Sequence, residues 1–348
     1  MTENGISQQP HNKKGSVLII ALWILALLVI FAVGLGHRAA INLKLSGYQK
    51  DRLKSNYLAR GGLALAILEL KNDSTTDFDS LNEAWSTGLD INNNNIFKKI
   101  IINDKYPKDI VTVASLDDES ANKFICLTDE ERKINLNKIS DANTEKQVEQ
   151  IFLKTGLESA DIGAIIAIIK KWAGVKPVDA ADPDKDIFKK ARLKVPEELL
   201  FILEYFYTQK DGSDKARDKA QGLYLKVKDY FTVYGSTGKI NINTASQEVL
   251  NAVVVATDPL AQGLTDKIIN YRDNTAPFKS DADVDAFITT TGLSGNEQTA
   301  MNSMKANSIA YKSNNFKIES VGDTGKVSKR IIAIFDRSNK EIVKWHEK

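Results

Sequence analysis

Side chains able to do chemistry are few in this sequence and poorly placed for it. Three histidines, His11, His37 and His346, are scattered without ligand spacing, and the single cysteine, Cys126, has no intramolecular disulfide partner. A His/Cys zinc site or a Cys–His nucleophile pair is therefore poorly supported. No other nucleophile–base pair stands out. The best ligand pattern is Asp182-Pro183-Asp184-Lys185-Asp186, whose alternating carboxylates could place oxygens around calcium. Neither the glycine nor the bidentate glutamate of a calcium loop follows, and alternating aspartates commonly form a solvated loop. Calcium at Asp182, Asp184 and Asp186 is the one cofactor to consider. The expectation from these residues is a protein that is not an enzyme.

The chain has 348 residues, with 47 Lys+Arg against 45 Asp+Glu and a formal net charge of +2. That balance argues against a protein that coats polyanions through unmatched cations. At about 150 residues per domain the length allows roughly two domains, and 43% hydrophobic content is ordinary for a folded chain. One segment departs from the average. Ser16 to Gly36 is a run of 21 residues without a charge. As a helix it would span about 31 Å, the hydrocarbon thickness of a bilayer. A secretory signal has a shorter apolar core, about 7–15 residues, ending at a small-x-small site. The run is therefore taken as a retained anchor. Lys13 and Lys14 precede it and Arg38, Lys44 and Lys50 follow, so the positive-inside comparison does not orient it. A soluble body beyond a short basic N-terminus fits an N-in, C-out protein.

The polar leader before the anchor ends in Lys13-Lys14-Gly15. This junction resembles the class III leader of type IV pilins and type II secretion pseudopilins. In those families a membrane-embedded aspartyl protease cuts after the glycine and methylates the new N-terminus, here Ser16. The plainer alternative makes Gly15 a loop residue before a helix. No proline occurs between Pro10 and Pro107, and Ile41, Leu45, Tyr48, Leu53, Tyr57, Leu58, Leu65 and Leu68 follow helical spacing. A continuous helix from Ser16 to about Leu70, roughly 80 Å long, would lie half in lipid and half on a globular domain through that stripe. An anchor followed by a separate helix is the alternative, with Gly34, Gly36 or Gly61-Gly62 as breaks.

Short β-rich runs at Ile110 to Ala114 and Lys123 to Leu127 flank Asp117-Asp118-Glu119. Phe316 to Val321, Val327 to Phe335 and Ile342 to Trp345 read as a hairpin plus one strand. Between these sets the spacing is helical and five of the seven prolines occur. One α+β sheet domain interrupted by a helical excursion is the simplest organisation. Within the excursion, Lys133-Ile134-Asn135-Leu136-Asn137 recurs 106 residues later as Lys239-Ile240-Asn241-Ile242-Asn243. Each copy runs into a helix, the second with a capping box predicted between Thr244 and Gln247. A duplicated helix-hairpin-helix-like unit follows. Such units often bind DNA through Gly-apolar-Gly hairpins at helix N-termini. Here the corresponding stretches are Thr155-Gly156-Leu157-Glu158 and Ala256-Thr257-Asp258-Pro259-Leu260, without the glycine pair. Thr237 to Phe287 carries four cations and seven anions. Nucleic acid is not an expected partner.

Taken in order, Ala21-Leu22-Trp23-Ile24-Leu25, Leu58-Ala59-Arg60-Gly61-Gly62, Asp129 to Asn137 (DEERKINLN), Asp229 to Gly235 (DYFTVYG), Lys239 to Ala245 (KININTA), Arg272, Pro277-Phe278 and Trp345 resemble the K-type minor pseudopilins of type II secretion systems. The resemblance is collinear over essentially the whole chain. It implies a type IV pilin-like α+β fold with a long N-terminal transmembrane helix, a small antiparallel sheet and a large helical insert of two helix-hairpin-helix-like (SAM-like) units. The boundaries are a leader at 1–15, the transmembrane part of the helix at 16–36, scaffold at 37–130, an insert at 131–310 (units at about 131–210 and 220–310) and returning strands at 311–348. Counting from Ser16, position five is Ile20, where most pilins carry a glutamate that pairs with a neighbour's N-terminal amine. The K family shares this absence and is taken to sit at the pseudopilus tip. The resemblance further implies I- and J-type minor pseudopilins, the major pseudopilin, the prepilin peptidase and the inner-membrane assembly platform as partners. The chain would be a single-pass inner-membrane protein, N-terminus cytoplasmic and body periplasmic, capping the tip and helping to initiate assembly for export of folded periplasmic proteins. The K family carries more acidic residues after the tryptophan matching Trp172, where this chain has Ala173-Gly174-Val175, which weakens any metal carry-over. Two alternatives stay open: a membrane-tethered DNA receptor, and a minor pilin of a type IV pilus.

Overall fold

The computed structural model describes residues 14–75, 77–102, 105–115, 126–179 and 184–348. Most of the leader, the turn at 117–119 and Asp182 lie outside the described residues. The first element, α1 (Lys14–Asn72), is one unbroken helix of 59 residues, about 88 Å long. Its glycines do not break it, because each costs only about 1 kcal/mol relative to Ala and no proline removes a backbone bond. From Val17 to Leu45 its large apolar side chains are exposed. With a mean hydropathy of 3.1 in its most apolar stretch, α1 is the one helix among the described residues long and apolar enough to cross a membrane.

The far half of α1 lies on a sheet. After it come α2 (Ala84–Thr87), β1 (Ile100–Ile101), β2 (Ile110–Val113) and β3 (Leu127–Asp129), which starts at the end of the run read from the sequence. The helical lobe follows. Its first unit comprises β4 (Ile134–Asn135), α3 (Ala142–Leu153), α4 (Ser159–Trp172), α5 (Glu198–Asp211), α6 (Ser213–Val227) and β5 (Phe231–Thr232). Its second comprises β6 (Ile240–Asn241), α7 (Gln247–Thr257), α8 (Leu264–Asn274), α9 (Asp281–Thr290), α10 (Gly295–Asn307) and β7 (Ile309–Ala310). The chain then returns through β8 (Asn315–Asp323), β9 (Ser328–Asp336) and β10 (Glu341–Glu347).

The sheet is antiparallel in the order β1-β2-β8-β9-β10, with β3 also on β8. Strand β8 is its axis. One edge pairs with β9 over its whole length, and the other is shared end to end by β2 (Val113 opposite Ser320) and β3 (Leu127 opposite Ile318). Gly325, at φ +77°, supplies the left-handed residue of the β8–β9 turn. The scaffold core gathers Ala59, Leu63, Ala66 and Leu70 of α1 with Trp85, Leu127, Phe316, Ile318 and Phe335. The lobe has a separate core that runs continuously through both units, from Ile134 to Ile309. Each KINxN stretch begins its unit as a short strand, and each unit closes by pairing that strand in parallel: Ile134 opposite Phe231, Ile240 opposite Ile309. The first helices of the two units, α3 and α7, pack on each other.

Two sequence readings need correction. The side of α1 that meets the sheet is not the leucine–tyrosine stripe. Leu53, Tyr57, Leu65 and Leu68 point outward, and the buried positions are Ser55, Ala59, Gly62, Leu63, Ala66 and Leu70. A helix can approach a sheet closely only through small side chains. A Cβ on Gly62 would lie 2.5 Å from Val111 Cγ1, and one on Gly322 of β8 would lie 2.5 Å from the backbone N of Ala59. Ser55 Oγ donates to the carbonyl of Gly322 at 2.8 Å across this contact. The second correction concerns the start of α7. Its N-cap is Ser246, whose Oγ accepts from the backbone N of Val249, and no Thr244–Gln247 box forms. Thr244 is instead drawn to Asp129.

Candidate functional site

Most of the residues singled out in the sequence fall on two features: the exposed apolar helix, and the buried joint through which the scaffold holds the lobe. On the helix, Gly15 and Ser16 fall in the first turn of α1 and Ile20 lies on its exposed apolar surface. Farther along, the outward face of α1 presents Leu53, Tyr57 and Leu68, and Tyr57 is 72% exposed. Beside this face Arg60 stacks over the Trp345 ring at 5.7 Å and pairs with Glu347 at 3.1 Å, fastening the last strand to the helix. This hydrophobic face lies on the side of α1 away from the sheet.

The joint is where the ordered motifs meet. Asp129 is fully buried and accepts four donors. Oδ2 takes Thr244 Oγ1 (2.6 Å), Ser313 Oγ (2.7 Å) and Asn241 Nδ2 (3.2 Å), and Oδ1 takes the backbone N of Glu131 (2.7 Å). Burial pushes its carboxyl up to about 6, against the pull of the two hydroxyls. Next to it, Glu130 accepts from Lys133 (3.0 Å) and from Thr232 Oγ1 (2.7 Å). Burial opposes its ionisation, yet the Lys133 charge and these bonds hold it below the usual carboxylate range. Burial raises Glu131 despite donors from Asn315 Nδ2 (2.9 Å) and the backbone N of Asn314 (3.2 Å). Strand β3 of the scaffold, the end of the first unit, the KININTA stretch and the returning chain are thus tied to one acidic tripeptide.

The two KINxN copies perform the same local task. In each, the first asparagine accepts from the backbone N of the second at 3.0 Å. The second then clamps a distant backbone. Asn137 pairs with both N and O of Leu193 (2.8 and 2.9 Å), and Asn243 with both N and O of Phe278 (2.8 and 2.7 Å). Arg272 donates to the carbonyls of Ile242 (2.8 Å) and Ala245 (2.7 Å). The asparagines of the second copy are buried, and their polar groups are satisfied within the fold.

Of the calcium candidates, Asp184 accepts from Tyr205 Oη (2.8 Å) and Gln209 Nε2 (3.0 Å) of α5, and Asp186 is exposed. Neither joins a group of three converging acidic, His or Cys ligands among the described residues. Such a group occurs elsewhere, in the polar stretch after α1. Asp73, Asp79 and Glu83 bring one oxygen each to within 4.8 Å of one another. Sequence reasoning passed over them because they stand six and four positions apart in what reads as a loop. Burial pushes Asp79 up to about 6 in spite of Arg337, and pushes Glu83 up to about 7, with Asp73 and Asp79 adding to the rise.

A long N-terminal helix laid on a small antiparallel sheet, with a helical lobe inserted before the last strands, is a type IV pilin-like fold. No family model matches the sequence, and no curated protein matches it. Among solved structures, the chain is similar to one from the crystal structure of the GspK-GspI-GspJ complex of the enterotoxigenic Escherichia coli type 2 secretion system. The TM-score is 0.57 at 16% identity, covering 88% of this chain and 98% of that one, so the likeness takes in the lobe as well as the scaffold.

Proposed function

We propose that this chain is a minor pseudopilin of a type II secretion system, membrane-anchored through α1 and placed at the tip of the pseudopilus as an assembly subunit rather than an enzyme. The observation that carries this reading is the likeness to the secretion-complex structure over scaffold and lobe together. A lobe built around its own core is bulky for packing within a filament and is tolerated at its end. Ile20 supports the same position, since a subunit without a carboxylate there cannot neutralise the amine of a neighbour added above it. In this reading Gly15–Ser16 is the peptidase cleavage site, Ser16 is N-methylated, and α1 crosses the inner membrane with the body in the periplasm. Partner helices of the I- and J-type pseudopilins pack on the outward face of α1 at Leu53, Tyr57 and Leu68.

Deleting the gene tests the proposal. Folded substrates should accumulate in the periplasm, and the chain should restore their export only when prepilin peptidase exposes Ser16. Undiminished export in the deletion strain would refute it.

A further inference from the structure

The two units of the lobe meet along a crevice of about 300 Å³, small among ligand pockets. The first unit contributes Lys138, Asp141, Asn143 and Gln147 to its wall, and the second Gly238 and Lys239. Among the described residues no apolar side chain lines it. Gly238 lets the two sides come this close, since a Cβ there would lie 3.1 Å from Thr144 Oγ1 and 3.4 Å from Lys138 Cβ.

The wall favours an anion. Lys138 and Lys239 are both partly buried, and neither has a carboxylate partner among the described residues. Lys239 Nζ donates instead to the carbonyl of Ala306 at 3.1 Å. Asp141 is turned to its own helix, where its Oδ2 caps α3 by accepting from the backbone N (2.9 Å) and Oγ1 (3.1 Å) of Thr144. Asn143 lies in the first turn of α3. Its N–H is one that no helical carbonyl can reach, and the positive end of the helix adds to the two lysines. Gln147 points to more than a bare anion. It is 2% exposed, and its Oε1 is buried without a donor. Buried oxygens of this kind are normally satisfied. Asn143 and Gln147 stand four apart on one face of α3, and helical side chains lean toward the helix N-terminus. The amide of Gln147 is thereby carried toward Asn143 and the crevice that both border.

Phosphate would engage the lysines but, as a dianion, offers Gln147 Oε1 no donor. A carboxylate with an amide N–H beside it satisfies both, and that pair of groups is the end of a peptide chain. We propose that the crevice between the two units binds a peptide's terminal carboxylate, held by Lys138, Lys239 and the start of α3, with the adjoining N–H donating to Gln147 Oε1.

The test uses the full chain in detergent micelles and calorimetry with N-acetylglycylglycine, its C-terminal amide, acetate and inorganic phosphate. Saturable binding of N-acetylglycylglycine is expected, with acetate and phosphate weaker and the C-terminal amide not bound. Lys138→Gln and Lys239→Gln should each weaken the peptide by about tenfold, the loss of one charge-assisted hydrogen bond. Gln147→Met keeps the length of the side chain; it should weaken the peptide but leave acetate unchanged, a split that a merely structural role would not produce. Lys340→Gln, on another cavity, should change nothing. Circular dichroism establishes that each variant is folded, and if Gln147→Met is not, the two lysine variants decide the matter. The absence of saturable binding would overturn the proposal. So would equal binding of the C-terminal amide, acetate or phosphate, or wild-type affinity in folded Lys138→Gln and Lys239→Gln.

Discussion

Adjacent glycines on α1 should respond unequally to the same substitution. Replacing Gly by Ala inside a helix gains about 0.8–1 kcal/mol from backbone propensity. At Gly61 an added Cβ meets nothing within 4 Å, so Gly61→Ala should stabilise by about that amount. At Gly62 the same Cβ falls 2.5 Å from Val111 Cγ1, 3.2 Å from Val113 Cγ2 and closer still to Ser320 Oγ. These neighbours are buried in the sheet and cannot swing away. Overpacking of this kind costs about 1–3 kcal/mol, which cancels or exceeds the propensity gain. Because propensity is common to both variants, their difference isolates the helix–sheet contact at about 1–3 kcal/mol. Hydrogen exchange of β8 and β9 amides, measured on the full chain in detergent, reports it directly. Opening should be about 5- to 150-fold more frequent in Gly62→Ala than in Gly61→Ala. Equal shifts of the same sign would refute the argument that close approach through small residues holds α1 to the sheet.

Three further outcomes follow from the same geometry. Asp129→Ala strands the Thr244 and Ser313 hydroxyls in the buried joint, and should cost about 3–5 kcal/mol in urea unfolding, with the lobe released first in limited proteolysis. Cys126 is 1% exposed and burial pushes its thiol up to about 12, so a thiol reagent at pH 8 should react only as fast as the scaffold opens, with the rate rising to that of a free cysteine in denaturant. Tyr57→Asp alters an exposed position and should leave the thermal midpoint of the isolated chain within about 1–2 °C of wild type. Under the proposed function, the same variant should abolish copurification with I- and J-type pseudopilins; undisturbed copurification would refute this face as their contact.

Much of the architecture follows from local pattern. The length of α1 needs only an uninterrupted stretch without proline and enough apolar residues to fill a bilayer, both of which are one-dimensional properties. The β8–β9 hairpin is marked by β-rich runs on either side of Gly322-Asp323-Thr324-Gly325, and the two KINxN copies announce a repeated unit by identity alone. What those residues do was settled only by their distant partners. Periodicity records which side chains are hydrophobic, but which face of α1 meets the sheet depends on where backbones can approach. Gly62 facing Ser320 and Val111, and Gly322 facing Ala59, chose the small-residue side and turned Leu53, Tyr57 and Leu68 outward. Likewise, nothing local to Thr244 reveals a buried carboxylate 115 residues away. Asp73, Asp79 and Glu83 become a group only when the chain folds back beneath Arg337. Hydropathy and chain stiffness are written along the sequence, whereas close packing and the satisfaction of buried polar atoms belong to pairs of segments and exist only once tertiary structure brings them together.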